Sequence, residues 1–144
     1  MPLITYNDFQ YCRETLYYDR IEPTFKKILK EHPELKKEFK AKYGRDLGVP
    51  ASLAELKDIG EFFQGRDIDG KTVYGAAIYT ERGSEGITMG VTNALYNYGF
   101  AYENPNKPYD IDGFVNSDGA IEGLEFYKDL YDCCTPPGSS DWYM

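Results

Sequence analysis

Four consecutive residues, Glu81, Arg82, Gly83 and Ser84, carry the most pointed chemistry in this chain. A Glu carboxylate accepts from hydroxyls, an Arg fork donates two parallel bonds, and a glycine lets backbone come close to a ligand. The four lie in a polar, glycine-punctuated joint at residues 80–86. Before the joint runs Val73-Tyr74-Gly75-Ala76-Ala77-Ile78-Tyr79, β-branched and aromatic, with the turn dipeptide Asp69-Gly70 ahead of it. After it, Ile87, Val91, Leu95 and Tyr98 recur at helical spacing. A strand feeding a helix through such a joint presents free N–H groups and charged side chains at a sheet edge, where open α/β folds bind ligands. The joint lacks the repeated glycines and the lysine of a phosphate loop. The plainer alternative is a helix start capped by Ser84 or Thr80, with Glu81 and Arg82 merely solvated.

Other chemistries find less support. Glu81 and Glu85 together would offer the two carboxylates of glycoside hydrolysis. Carboxylates four apart at a helix start more often serve as favourable N-terminal charge, and with 24 acidic residues chance pairs are expected. A single histidine, His32, leaves no His-based catalytic or metal cluster. Cys12, Cys133 and Cys134 form no Cys-x-x-Cys pair, so neither zinc nor a thioredoxin-like centre is indicated. Adjacent cysteines do not easily bridge each other, so three reduced or partly buried thiols are expected. No cofactor is expected.

The elements that must position the joint fit one domain or part of a larger one, at 144 residues. Net charge is -8 with a pI near 4.7, and no basic stripe is interleaved with aromatics, which argues against nucleic acid as a partner. The basic residues at 26–42 alternate with Glu and apolar residues as on a solvated helix face. A charged fraction of 28% and mean hydropathy of -0.57 suit a soluble surface, and no run approaches a membrane span. Met1-Pro2-Leu3 lacks the features of a signal peptide, so the chain is read as cytoplasmic or as lacking its true start. The 14 tyrosines suit ordinary packing, or a surface that stacks on flat apolar ligand faces such as sugar rings.

In order, Leu3-Ile4-Thr5-Tyr6 and Thr15-Leu16-Tyr17-Tyr18 read as short strands. Pro23 opens a helix with Phe25, Ile28 and Leu29; Pro33 restarts the pattern, and Leu35, Phe39 and Tyr43 mark a helix that stops at Gly44. Ser52 and Glu55 form a capping box ahead of Leu53, Leu56, Ile59 and Phe63 on one face. Residues 101–112 read as a loop, with Tyr109-Asp110-Ile111 offering a β-excursion. Ser117 caps a last helix whose stripe is Ile121, Leu124, Tyr127 or Lys128, and Tyr131. The class is α/β: a helix-rich partial lobe, with a small sheet of two to four strands and flanking helices.

Four segments in this order carry a resemblance. Thr15-Leu16-Tyr17-Tyr18-Asp19 is similar to a "YN-D" strand that crosses between lobes, and Val49-Pro50-Ala51-Ser52-Leu53-Ala54-Glu55-Leu56 to a "P-x-T-W-x-E-L" helix start. Residues 73–99 are similar to a "yG…" strand, ligand loop and helix, and residues 115–131 to a "v-n-s-x-e-A…l-x-f-y-x-x-L" helix. Together they resemble the family 1 extracellular solute-binding proteins of ABC transporters, which are maltose-binding-protein-like. Ser52 stands where Thr is usual and Leu53 where Trp is common, neither being a binding position.

The resemblance implies a periplasmic-binding-protein type II fold, of which this chain is an internal fragment. Residues 1–19 would be the crossing segment and residues 20–144 a partial second lobe. It implies no enzyme activity, but the carbohydrate-binding component of an importer, periplasmic or extracellular, whose partners are a small-molecule sugar, oligosaccharide, polyol or glycoside and a cognate membrane permease. The 80–84 loop would face the cleft. So would Cys12 and Arg13, with a local salt bridge as the alternative for Arg13, and Trp142, with packing against later residues as its alternative. Tyr6 and Tyr79 are weaker candidates. A fragment of this kind is expected to self-associate through uncovered apolar surface. The competing readings are a cytoplasmic α/β interaction module and, further off, a carboxylate-based glycoside hydrolase.

Overall fold

The computed structural model describes residues 22–141, so the expected strands at 3–6 and 15–18 lie outside the described residues. The chain divides into two compact units, Met1–Val49 and Pro50–Met144.

The described part of the first unit is a helical pair. Helix α1, Glu22–Glu31, admits Pro23 in its first turn, where an N–H has no helical partner, and it buries Leu29. Helix α2, Pro33–Tyr43, begins on Pro33 and buries Leu35 and Phe39 one turn apart. Phe39 has no exposed surface. The Tyr43 ring centroid lies 4.7 Å from its ring, and the Arg45 guanidinium lies 4.8 Å away. Gly44 ends α2 at φ 73°, with its N–H bonded to the Lys40 carbonyl at 2.9 Å. Only glycine holds that left-handed geometry without cost. Gly44→Ala is therefore expected to destabilise this unit by about 1 kcal/mol, read as a lower denaturation midpoint; an unchanged midpoint would contradict the assignment.

The second unit packs three helices with a hairpin. Helix α3, Leu53–Phe63, starts on a reciprocal cap: Ser52 Oγ accepts from Glu55 N at 3.2 Å, and Glu55 Oε2 accepts from Ala51 N at 2.7 Å. Its deepest residues are Gly60 and Phe62, whereas the expected stripe of Leu53, Leu56, Ile59 and Phe63 is only half-buried. Strands β1, Arg66–Ile68, and β2, Lys71–Val73, pair antiparallel, with Arg66 opposite Val73. Asp69 and Gly70 make the two-residue turn at φ 55° and 74°, the double positive geometry that suits strand twist.

The expected strand at 73–79 is not formed beyond Val73. Its leading backbone donors go elsewhere: Gly75 N–H donates to Gln64 Oε1 at 2.9 Å, and Ala76 N–H to the Cys134 carbonyl at 2.9 Å. A β-prone run makes a strand only beside a neighbour, and helix ends take those bonds instead. The two-stranded hairpin is the one sheet among the described residues. The protein is thus helix-rich and mixed, with a small antiparallel sheet.

Helix α4, Ser84–Asn97, and helix α5, Asp118–Cys134, pack together. Ser117 caps α5, its Oγ accepting from Ala120 N at 3.1 Å. The buried stripe of α5 is Ala120, Gly123, Leu130 and Cys134. It is displaced from the expected one: Ile121 is 52% exposed and Leu124 47%. Small residues permit the close contact. A Cβ on Gly123 would lie 3.2 Å from Leu95 Cα, and one on Gly119 would collide with the Tyr98 carbonyl.

Between the two helices the chain folds back on itself rather than forming the expected β-excursion at 109–111. Asn104 N–H donates to the Asp110 carbonyl at 2.7 Å, Tyr109 N–H to Glu103 Oε2 at 2.7 Å, and Tyr109 sits at φ 65°. Cys133 and Cys134 also depart from expectation. They are bonded to each other as a disulfide at the last turn of α5, with their Cα atoms 3.7 Å apart. The helix ends there, Thr135 turning to extended backbone at φ -88° and ψ 156°. Among the described residues no helix is long and apolar enough to cross a membrane.

Candidate functional site

The joint is reached along an extended segment, 74–80, held at both ends. At its start are the Gly75 and Ala76 bonds already given. At its end the buried Thr80 donates from Oγ1 to the Ser139 carbonyl at 3.0 Å, across 59 residues of sequence. One residue earlier, the Tyr127 hydroxyl donates to the Tyr79 carbonyl. Gly90 is what lets α4 come this close, since a Cβ there would strike both the Tyr79 carbonyl and the Tyr127 hydroxyl. Burial pushes the Tyr127 phenol up from its ordinary range, so it stays protonated and able to donate.

Gly83, not Ser84 or Thr80, is the N-cap of α4, and it supplies no side-chain bond; Ser84 is the first helical residue. The capping half of that alternative is not formed, because Gly83 occupies the cap position, while its other half, a solvated charge, holds for Arg82. The Glu81 carboxylate fills the place a side chain on Gly83 would occupy, and a Cβ on Gly86 would also meet it at 3.0 Å. A carboxylate over the first turn complements the positive end of a helix. Glu81 is half-buried there, while Arg82 is exposed. The two charges of the joint thus differ in role, one folded onto its own helix and one presented outward.

Two clefts flank Tyr127. One, of about 210 Å³, is apolar and lies among Leu56, Ile78, Met89, Phe126 and Leu130. The other, also of about 210 Å³, is walled by Thr80, Tyr127, Lys128 and Tyr131. Lys128 pairs with Asp132, one turn along α5, at 2.5 Å; that hydrogen bond raises the Lys128 ammonium above its usual range. Across the unit, Lys57 Nζ and Asp129 Oδ2 meet at 2.9 Å and tie α3 to α5. Their hydrogen bond lifts Lys57 and holds Asp129 below the usual carboxylate range. That support is present above the ordinary carboxylate range and is lost as pH falls through the lowered Asp129 value. Both side chains reach solvent, so it is small.

Of the expected site residues, Glu81, Arg82, Gly83 and Ser84 are brought together at the start of α4. Cys12, Arg13 and Trp142 lie outside the described residues. The 3₁₀ turn Ser139–Asp141, which leads to Trp142, is bonded through Ser139 to Thr80 and so adjoins the joint. Sequence reading passed over Thr80 as a tether and Lys128 and Tyr131 as cleft walls. The one available signal was the ambiguity between Tyr127 and Lys128 in the α5 stripe. Among the described residues no group of three His, Cys, Asp or Glu side chains is placed to hold a metal. No family model, curated protein or solved structure matches this chain.

Proposed function

We propose that this chain is part of the substrate-binding component of an ABC importer, and that it binds a carbohydrate without chemistry on it. On this reading residues 20–144 belong to the second lobe of a periplasmic-binding-protein type II fold, and residues 1–19 cross toward the first. The parent would act outside the cytoplasmic membrane and deliver its ligand to a membrane permease. The observation that carries the reading is the tether from Thr80 to Ser139. It joins Thr80, the first residue of the joint and a wall of the cleft shared with Tyr127, Lys128 and Tyr131, to Ser139 in the turn before Trp142. Sugar C–H faces need flat apolar partners, and sugar hydroxyls need paired donors and acceptors once water is removed. Arg82 is the outward donor, and the rings of Tyr127 and Tyr131 are the flat surfaces.

The test is the full-length parent against a panel of sugars, polyols and glycosides. A ligand raises the melting temperature without any product appearing. Arg82→Ala weakens its binding by about 10- to 100-fold, the loss expected for a hydrogen bond to a charged group. Release of a hydrolysed product, or full affinity in Arg82→Ala, would overturn the assignment.

A further inference from the structure

One junction in the second unit gathers several elements. The Cys134 carbonyl accepts from Ala76 N–H at 2.9 Å. Next to it, the Gln64 side chain donates from Nε2 to the Thr135 carbonyl at 3.2 Å and accepts from Gly75 N–H at 2.9 Å. Gly60 of α3 packs so closely that a Cβ there would meet Cys134 Sγ at 3.2 Å. The end of α3, the start of the 74–80 segment and the end of α5 therefore meet at the Cys133–Cys134 bond. The two cysteines are unequal in exposure: Cys134 has no exposed surface, while Cys133 is half-buried.

We propose that the Cys133–Cys134 disulfide is a site of thiol–disulfide exchange that clasps the 75–80 segment, and with it the 80–83 joint, to the end of α5. The short ring closed by the bond contains the Cys133–Cys134 peptide, so it restrains the residue whose carbonyl holds Ala76. The Cys134 carbonyl itself lies outside the ring, but the ring fixes rotation about the Cys134 N–Cα bond, and opening it lets that bond turn and carry the carbonyl away from Ala76. This rests on the junction and not on the proposed ligand.

The unequal exposure of the two cysteines sets the chemistry. The thiolate of a small dithiol attacks Cys133 Sγ, the S–S bond breaks, and Cys134 Sγ leaves with the electron pair and takes up a proton. The second thiolate of the reductant then attacks its own sulfur in the mixed disulfide, closes to a cyclic disulfide and releases the Cys133 thiol. The protein gains two electrons and two protons, and the dithiol is oxidised. The freed Cys133 thiol has an acceptor in reach, the Leu130 carbonyl 3.7 Å from Sγ. A monothiol stops at the mixed disulfide, which the neighbouring Cys134 reverses. Dithiols therefore open the clasp far more readily than monothiols.

The experiment uses the full chain with Cys12→Ser, which removes the third thiol. In the native unreduced protein iodoacetamide labels neither Cys133 nor Cys134. After dithiothreitol it labels at least Cys133, and glutathione at equal thiol concentration gives much less labelling. Hydrogen exchange at Gly75 and Ala76 quickens by about tenfold or more on reduction, while Leu95 in α4 keeps its rate. Cys133→Ser reproduces the fast exchange without reductant; should that variant not fold, the reduced wild-type chain carries the comparison. Labelling of both cysteines before reduction would overturn the proposal. So would unchanged exchange at Gly75 and Ala76, or acceleration spread equally through Leu95.

Discussion

Gly75→Val is expected to cost the second unit about 3 kcal/mol or more and to lower its melting temperature by about 15 °C. Gly75 sits against the backbone of Gly60, so closely that a Cβ would overlap the Gly60 carbonyl group. No rotamer relieves a clash that begins at Cβ, and the opposing atoms are helix backbone. Relief requires the 74–80 segment to leave α3, which breaks the Gly75 bond to Gln64 and the Ala76 bond to Cys134. Gly48→Val is the control, because a Cβ there meets nothing within 4 Å and the backbone is not in the left-handed region. It should move the melting curve little. A Gly75→Val protein that melts with wild type would refute the close contact.

Phe62→Ala is expected to destabilise the same unit by about 3–5 kcal/mol. The ring is 3% exposed and meets Phe63 edge-on at 5.1 Å. The Arg66 guanidinium lies 3.9 Å from its centroid, while Arg66 Nε donates to the Phe62 carbonyl at 2.5 Å. Truncation removes the burial, leaves a void and takes away the surface on which the first residue of β1 rests. Phe62→Leu should recover much of the loss, since it restores most of the volume. The check is urea denaturation: the midpoint should fall at constant slope, as for a pure stability change. A shift below 1 kcal/mol would show that the ring is not the keystone of α3.

What could be read directly from the chain was local. Gly44, Ser52 with Glu55, Asp69-Gly70 and Ser117 each act within a few residues, and each stands where its type demands. The misreadings came from distance and from size. The 73–79 run has strand propensity, but its fate depended on Gln64 and on Cys134, the latter 58 positions beyond Ala76, so beyond Val73 it became an unpaired extended segment. The α5 stripe was misplaced because hydropathy ranks Ile121 and Leu124 above Ala120 and Gly123, although the smaller pair makes the contact. Thr80 carried no mark of its tie to Ser139. The joint was found by residue type, whereas the cleft beside it needed α5 in place.

The seam between α4 and α5 inverts the usual map of mutational tolerance. Side chains that are absent cannot be trimmed, only enlarged, so Gly90 and Gly119 admit change in one harmful direction. Ile121 and Leu124, the residues a hydropathy plot would protect, face outward and have room to become polar. A saturation scan across this seam would therefore show its sharpest intolerance at positions with no side chain at all.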